Sequence, residues 1–153
     1  MRSENLSGID APTCSKATGL LPTAARIRAA LRNIVNWLRR LYFILVWHMQ
    51  IGEGSIISFG ATLDKTYPQG VHIGKHSVVA FGAAVLTHDW ANGRVSNIYI
   101  GDNCLIGPKA IVLPGVMIED NCVVDPASVV ARNVRAGSHV AGNPARIVGN
   151  IKD

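Results

Sequence analysis

From Ile51 onward the chain keeps a metre of six. An aliphatic residue stands at Ile51, Ile57, Leu63, Ile73, Val79, Val85, Ile100, Ile106, Val112, Ile118, Val124 and Val130. The fifth place of the same sixes is small or medium: Ser55, Ala61, Ser77, Ala83, Cys104, Ala110, Val116, Cys122 and Ser128. Neither the period of an α-helix nor the strict alternation of an ordinary strand fits this spacing. Short strands that turn every six residues do fit it. Three sixes then close one triangular coil, and stacked coils bury a continuous apolar column. Glycine at the second place (Gly52, Gly74, Gly101, Gly107) is read as a residue that tolerates a tight corner. The pattern predicts about four coils. The metre breaks twice, first at Leu63–His72, "LDKTYPQGVH", and again after Leu86, at "THDWANGRVSN".

Ahead of the coils the period changes. Ile27, Leu31, Ile34, Leu38 and Leu41 recur at steps of three and four, which predicts one apolar stripe on a helix over residues 23–49. Thr23 after Pro22 suits its N-cap. Arg26, Arg28, Arg32, Arg39 and Arg40 make this helix basic. Two uses of the stripe stay open: packing on the rest of the protein, or resting on an anionic membrane surface. Trp37, Tyr42 and Trp47 suit either. Residues 1–22, rich in Ser, Thr and Gly, read as a flexible lead-in, and residues 50–153 as the coil domain with a C-terminal cap.

Composition narrows the picture a little. At 153 residues and 48% hydrophobic the chain suits one folded domain and not a disordered one. The net charge of +5 favours anionic partners without choosing among them. No nucleic-acid-binding motif is present, so no nucleic acid is expected. Cys14, Cys104 and Cys122 lack CxxC spacing, and so sparse a count fits a reducing cytoplasm. No secretory signal is read at the N-terminus, and the apolar run Leu41–Met49 is too short to span a bilayer. Cys104 and Cys122 hold the same place in sixes eighteen residues apart, which reads as buried packing.

The sixes, the stretch "IGDNCLIGPKAIVLPGVMIED", the later His139–Val148 segment "HVAGNPARIV" and the Thr87-His88-Asp89 loop together carry a resemblance. The chain resembles the hexapeptide-repeat acetyltransferase superfamily, and within it the maltose, galactoside and colanic-acid O-acetyltransferases. That resemblance implies an all-β fold, a left-handed parallel β-helix, preceded here by an α-helical segment. It also implies acetyl-CoA as co-substrate, a hydroxyl acceptor on a sugar or surface-polysaccharide precursor, and a homotrimer with sites between neighbouring subunits. No metal is expected. The segment over residues 23–49 is unlike the N-terminal domain of the maltose and galactoside enzymes and is similar to the lead-in helix of surface-polysaccharide acetyltransferases. A serine acetyltransferase is the nearest rival, although that family's long helical N-terminal domain is missing here. A non-catalytic scaffold is the rival of a different class. A zinc enzyme built on His72, His76 and His88 is a third, but their spacing does not match that family's histidines.

The chemistry needs a base, because an alcohol is a poor nucleophile near neutral pH, and an imidazole titrates close to that range. His88, at the break in the metre, is the candidate general base; an exposed loop histidine is the alternative. Asp89 either orients that imidazole or caps its own loop through an Asx-turn. Asp64 is a candidate acceptor contact or a corner cap, with Lys65 and Tyr67 beside it. Trp90 walls the site or packs on a neighbouring subunit. For CoA the resemblance implies the later coils: Gly107, Lys109, Ala127, Arg132, Asn143, Pro144 and Arg146. Each of the cations among them could equally be an ordinary solvated charge. A backbone N–H near Gly107 is the expected oxyanion donor, and Asn143-Pro144-Ala145 is read as a stiff turn ending the coils.

Overall fold

The computed structural model describes residues 23–151. The lead-in read over residues 1–22, with Cys14, lies outside the described residues. The fold is a left-handed parallel β-helix with one α-helix, Thr23–Trp47, in front of it. Strands of two or three residues, with the five-residue Ser138–Gly142 last, stack into three flat faces. The first face holds Gln50–Ile51, Val71–Ile73, Ile98–Ile100 and Met117–Ile118. The second holds Ile56–Ile57, Val78–Val79, Leu105–Ile106, Val123–Val124 and Ser138–Gly142. The third holds Thr62–Leu63, Ala84–Val85, Ile111–Val112 and Val129–Val130. Neighbouring strands pair parallel and in register, so Ile51 stands beside Ile73, and Ile106 beside both Val79 and Val124.

The register explains the metre. All twelve aliphatic first places are buried, and they form the core column. The fifth places follow them inward, except that Ala61 is half-buried. Cys104 and Cys122 are buried there as free thiols. Each thiol donates to a backbone carbonyl of the coil above, Glu119 at 3.1 Å and Arg135 at 3.0 Å. Burial pushes the Cys104 thiol up to about 11, so it stays protonated and serves as packing.

One reading of the corners changes. The left-handed residues are at the fourth place: Gly54, Gly60, His76, Gly82, Asn103, Lys109, Gly115, Asn121 and Ala127 all have positive φ. The second-place glycines are required for a different reason, the approach of the next coil. A Cβ on Gly107 would stand 2.5 Å from the Val124 carbonyl oxygen, and one on Gly52 would stand 2.5 Å from the backbone of Gly74. At Asn143-Pro144-Ala145 the parallel coiling gives way to a closing strand. That turn joins Ser138–Gly142 to an antiparallel partner, Ala145–Asn150, which closes the second face.

The helix leaves its stripe outside. Phe43 is buried against the first coil, with Trp47, Arg40 and Asn36 half-buried on the same side. Arg40 Nε donates to the Ile51 carbonyl at 3.1 Å, and Arg39 lies 4.4 Å over the Phe59 ring. Of the predicted stripe, Ile27, Leu31, Ile34 and Leu38 are exposed and Leu41 is half-buried, so most of it does not pack on this chain's own coil.

Candidate functional site

Both breaks in the metre fall on one edge, where the third face passes to the first. In the first coil the break is the segment from Asp64 to the short 3-10 turn Pro68–Gly70. In the next coil it is a β-hairpin, His88–Asp89 paired antiparallel with Arg94–Val95, standing directly beside the first break. The two are tied together. Thr87, fully buried, donates its hydroxyl to the Tyr67 carbonyl at 3.0 Å. Asp64 takes three backbone N–H groups: Thr66 on Oδ1 at 2.8 Å, and Thr87 and His88 on Oδ2 at 3.1 and 3.0 Å. Burial pushes the Asp64 carboxyl up, but the hydrogen bonds from Thr66, Thr87 and His88 outweigh it and hold the group below its ordinary range. Asp64 therefore caps the corner and grips the backbone of His88.

His88 is half-buried, and its ring lies 4.3 Å from the ring of Trp90 at 52°. Its Nδ1 is buried and has no hydrogen-bond partner among the described residues. Trp90 itself is 81% exposed on the hairpin tip. Asp89 does not reach the imidazole with a hydrogen bond. Its Oδ1 accepts the N–H groups of Ala91 and Asn92 at 3.0 and 3.3 Å, and its Oδ2 takes the Asn92 amide at 2.6 Å. These bonds, led by that from the Asn92 side chain, hold its carboxyl below the usual range. Of the two roles left open for Asp89, the geometry is that of the Asx-turn.

Other expected residues scatter. Tyr67 sits beneath the hairpin on the same edge, whereas Lys65 turns toward the helix, its Nζ 5.1 Å over the Trp47 ring. Arg132 is exposed on the His88 edge two coils further on. Lys109 and Ala127 instead lie one above the other where the second face passes to the third, with Asn143 and Pro144 at the end of that same edge. Arg146 is exposed on the closing strand. Gly107 N–H donates to Val124 O at 2.9 Å, and Lys109 and Ala110 N–H are likewise committed within the coils. The amides near Gly107 are therefore not free to hold an oxyanion, because the stacked coil consumes them. Within one chain, then, His88 and most of the expected CoA residues occupy different edges, with the third face between them. His72, His76 and His88 do not converge, and no group of three or more metal-ligating side chains occurs among the described residues.

What sequence reasoning did not find is the stack of His72 on Tyr99, with ring centroids 4.5 Å apart and planes at 9°. It stands on the outer row of the first face, just past the His88 edge. Parallel register places the two residues opposite one another, and His72↔Tyr99 could have been found by aligning the coils across the irregular piece.

Residues 97–132 match the family model for the bacterial transferase hexapeptide, six repeats. The Bacillus subtilis protein YvoF, provisionally named an acetyltransferase, is 30% identical over 85 residues. The match covers 54% of this chain and 47% of YvoF, so the chain spans about half of that relative's length. A maltose O-acetyltransferase from Clostridium difficile superposes with a TM-score of 0.56 at 23% identity, over 68% of this chain and 70% of that one; at this identity the likeness is one of fold. Soybean serine acetyltransferase superposes with a TM-score of 0.54 at 28% identity, over 65% of this chain and 40% of the soybean chain. Over the matched part, the metre, the family model and the shared coil make this chain similar to the hexapeptide-repeat acetyltransferases.

Proposed function

We propose that the protein is a CoA-dependent O-acetyltransferase that acts on a hydroxyl of a sugar or surface-polysaccharide precursor, with His88 as general base. The observation that carries this reading is the Asp64 clamp. It fixes the backbone of a histidine on a hairpin that interrupts an otherwise regular coil, and no packing need of the coil accounts for that hairpin. Nδ1 is buried, so Nε2 is the nitrogen left to take the acceptor proton. The acceptor oxygen then attacks the acetyl thioester carbonyl directly. The CoA thiolate leaves and recovers the proton from the imidazolium, with no acetyl-enzyme in between. Asp89 serves the site by shaping the hairpin, and Trp90 by walling one side of the imidazole.

The CoA arm runs along the unbroken edge of Lys109, Ala127, Asn143 and Pro144. The short side chain of Ala127 leaves room there, Lys109 and Arg146 offer charge to the phosphates, and Arg132 would come from the His88 edge of a neighbouring copy. Because that edge is not the His88 edge of the same chain, the reading requires a second copy, and a homotrimer supplies it around a threefold axis. Serine as acceptor is the second reading, favoured by the 28% identity to the soybean enzyme. An acceptor screen containing both sugars and serine separates the two.

The test sets wild type beside His88→Ala. The variant should bind CoA and keep the same assembly mass, while acetyl transfer falls by about 10²–10⁴-fold. Near-normal turnover in the variant would remove His88 from the mechanism. If neither protein binds CoA, the coil is a scaffold.

A further inference from the structure

We propose that the helix Thr23–Trp47 lies in the surface of an anionic lipid bilayer, with its outward apolar stripe among the acyl chains. The helix meets the coil through its C-terminal part and leaves its longest apolar line outside. The side that meets the coil carries Asn36 and Arg40 and, toward the C-terminal end, Phe43, Ile44 and Trp47. The side that faces away carries Ile27, Leu31, Ile34, Leu38 and Leu45, each 51–64% exposed. Those five stand at steps of four, three, four and seven, so they form one line, about 27 Å long at the helical rise. A stripe of this length left in water marks a docking surface.

Charge selects the occupant. The chain has 15 basic and 10 acidic residues, and the helix holds five of the arginines and no acidic residue. The remainder is balanced, so the whole excess of +5 sits on this one helix. Arg26 and Arg32, both exposed, stand next to Ile27 and Leu31 and project to opposite sides of the stripe. That is the layout of a helix lying in a headgroup layer, where apolar residues sink and cations stay with the phosphates. Trp37, exposed at one margin of the stripe, suits the same boundary. A second copy fits worse. Two such helices meeting stripe to stripe bring arginines together with no carboxylate between them, and the rest of a second copy has no acidic excess to offer. No helix among the described residues is long and apolar enough to cross a membrane, so the helix rests on the bilayer and does not span it.

Flotation of the full chain with vesicles tests this, and it needs no substrate, so it stands or falls apart from the transferase reading. The chain should float with vesicles containing phosphatidylglycerol and far less with phosphatidylcholine alone, and raised salt should release it. Arg26→Gln with Arg32→Gln should lower partition about tenfold. Leu31→Ser, Ile34→Ser and Leu38→Ser together should lower it by about 100-fold or more. All five positions are exposed, and an unchanged melting curve confirms that the variants fold. Absence of flotation, or equal flotation with neutral vesicles, overturns the proposal. If the triple serine variant instead loses assembly mass by light scattering while vesicle binding is unchanged, the stripe belongs to a second copy and the proposal is wrong.

Discussion

The coil and the helix both carry a regular apolar pattern, and they use it in opposite ways. Up to the closing pair Ser138–Gly142 and Ala145–Asn150, the coil strands have two or three residues, whose backbone groups are paired by the coils above and below. Burial of the aliphatic first place and pairing of the backbone are therefore one event: lose the stacking and both are lost. The helix satisfies its backbone within itself, so its stripe need not meet the protein for the segment to hold its hydrogen bonds. An apolar period thus says that a face seeks cover. It says that the cover is the same chain only where the backbone also depends on it.

The sharpest way to break the comparison is a pair of truncations. Ile106→Ala removes a side chain with no exposure from the column, and a cost of about 2–5 kcal/mol is expected. Leu38→Ala, on the exposed stripe, should change stability by no more than about 0.5 kcal/mol. Denaturant melts of the two variants decide it; equal costs would mean that the helix stripe is packed in solution. A smaller effect tests the corners. Gly107→Ala sets a Cβ against the Val124 carbonyl oxygen, and a loss of about 1–3 kcal/mol is expected by the same melts. A neutral result would show that the coils can part at that edge.

The smallest effect concerns the tie between the two breaks. The Asp64 carboxyl is held below its ordinary value of 3.8 in the folded chain. Its contribution is therefore fully present above that pH, shrinks as pH falls below it, and is gone once the folded group is protonated. The carboxylate is partly solvated, so about 1 kcal/mol or less is at stake. Thermal melts of wild type and Asp64→Asn across the acid range should differ at neutral pH and converge at low pH. Parallel curves would mean that the clamp adds no stability.

Much of this was legible along the chain, because period and burial share a cause. A residue at every sixth place that must point inward has to be aliphatic, so the twelve buried positions can be named before any coordinate is seen. The breaks were legible for the converse reason: Asp64, His88 and their neighbours cannot continue the column. The role of the second-place glycines was not, since a local sequence cannot say whether a small residue answers a dihedral angle or a neighbouring coil. Asp89 was ambiguous for a similar reason, because its loop amides and the imidazole are equally near in sequence.

The sequence alone determined that short strands stack in coils of three sixes, which residues fill the core and where the metre fails, since each follows from which side chains water rejects at a fixed spacing; the left hand of the coil came only from the resemblance. Only the tertiary structure decided what meets what across that spacing. It brought Asp64 to the amides of Thr87 and His88, 23 and 24 residues on, through the stacking of one coil on the next. It put His88 and most of the expected CoA residues on different edges, and it turned the helix so that Phe43, Ile44 and Trp47 meet the coil while the longer apolar line faces away. Those outcomes depend on packing between segments far apart in the chain, where the geometry of the partner, and not the local pattern, decides which face is covered.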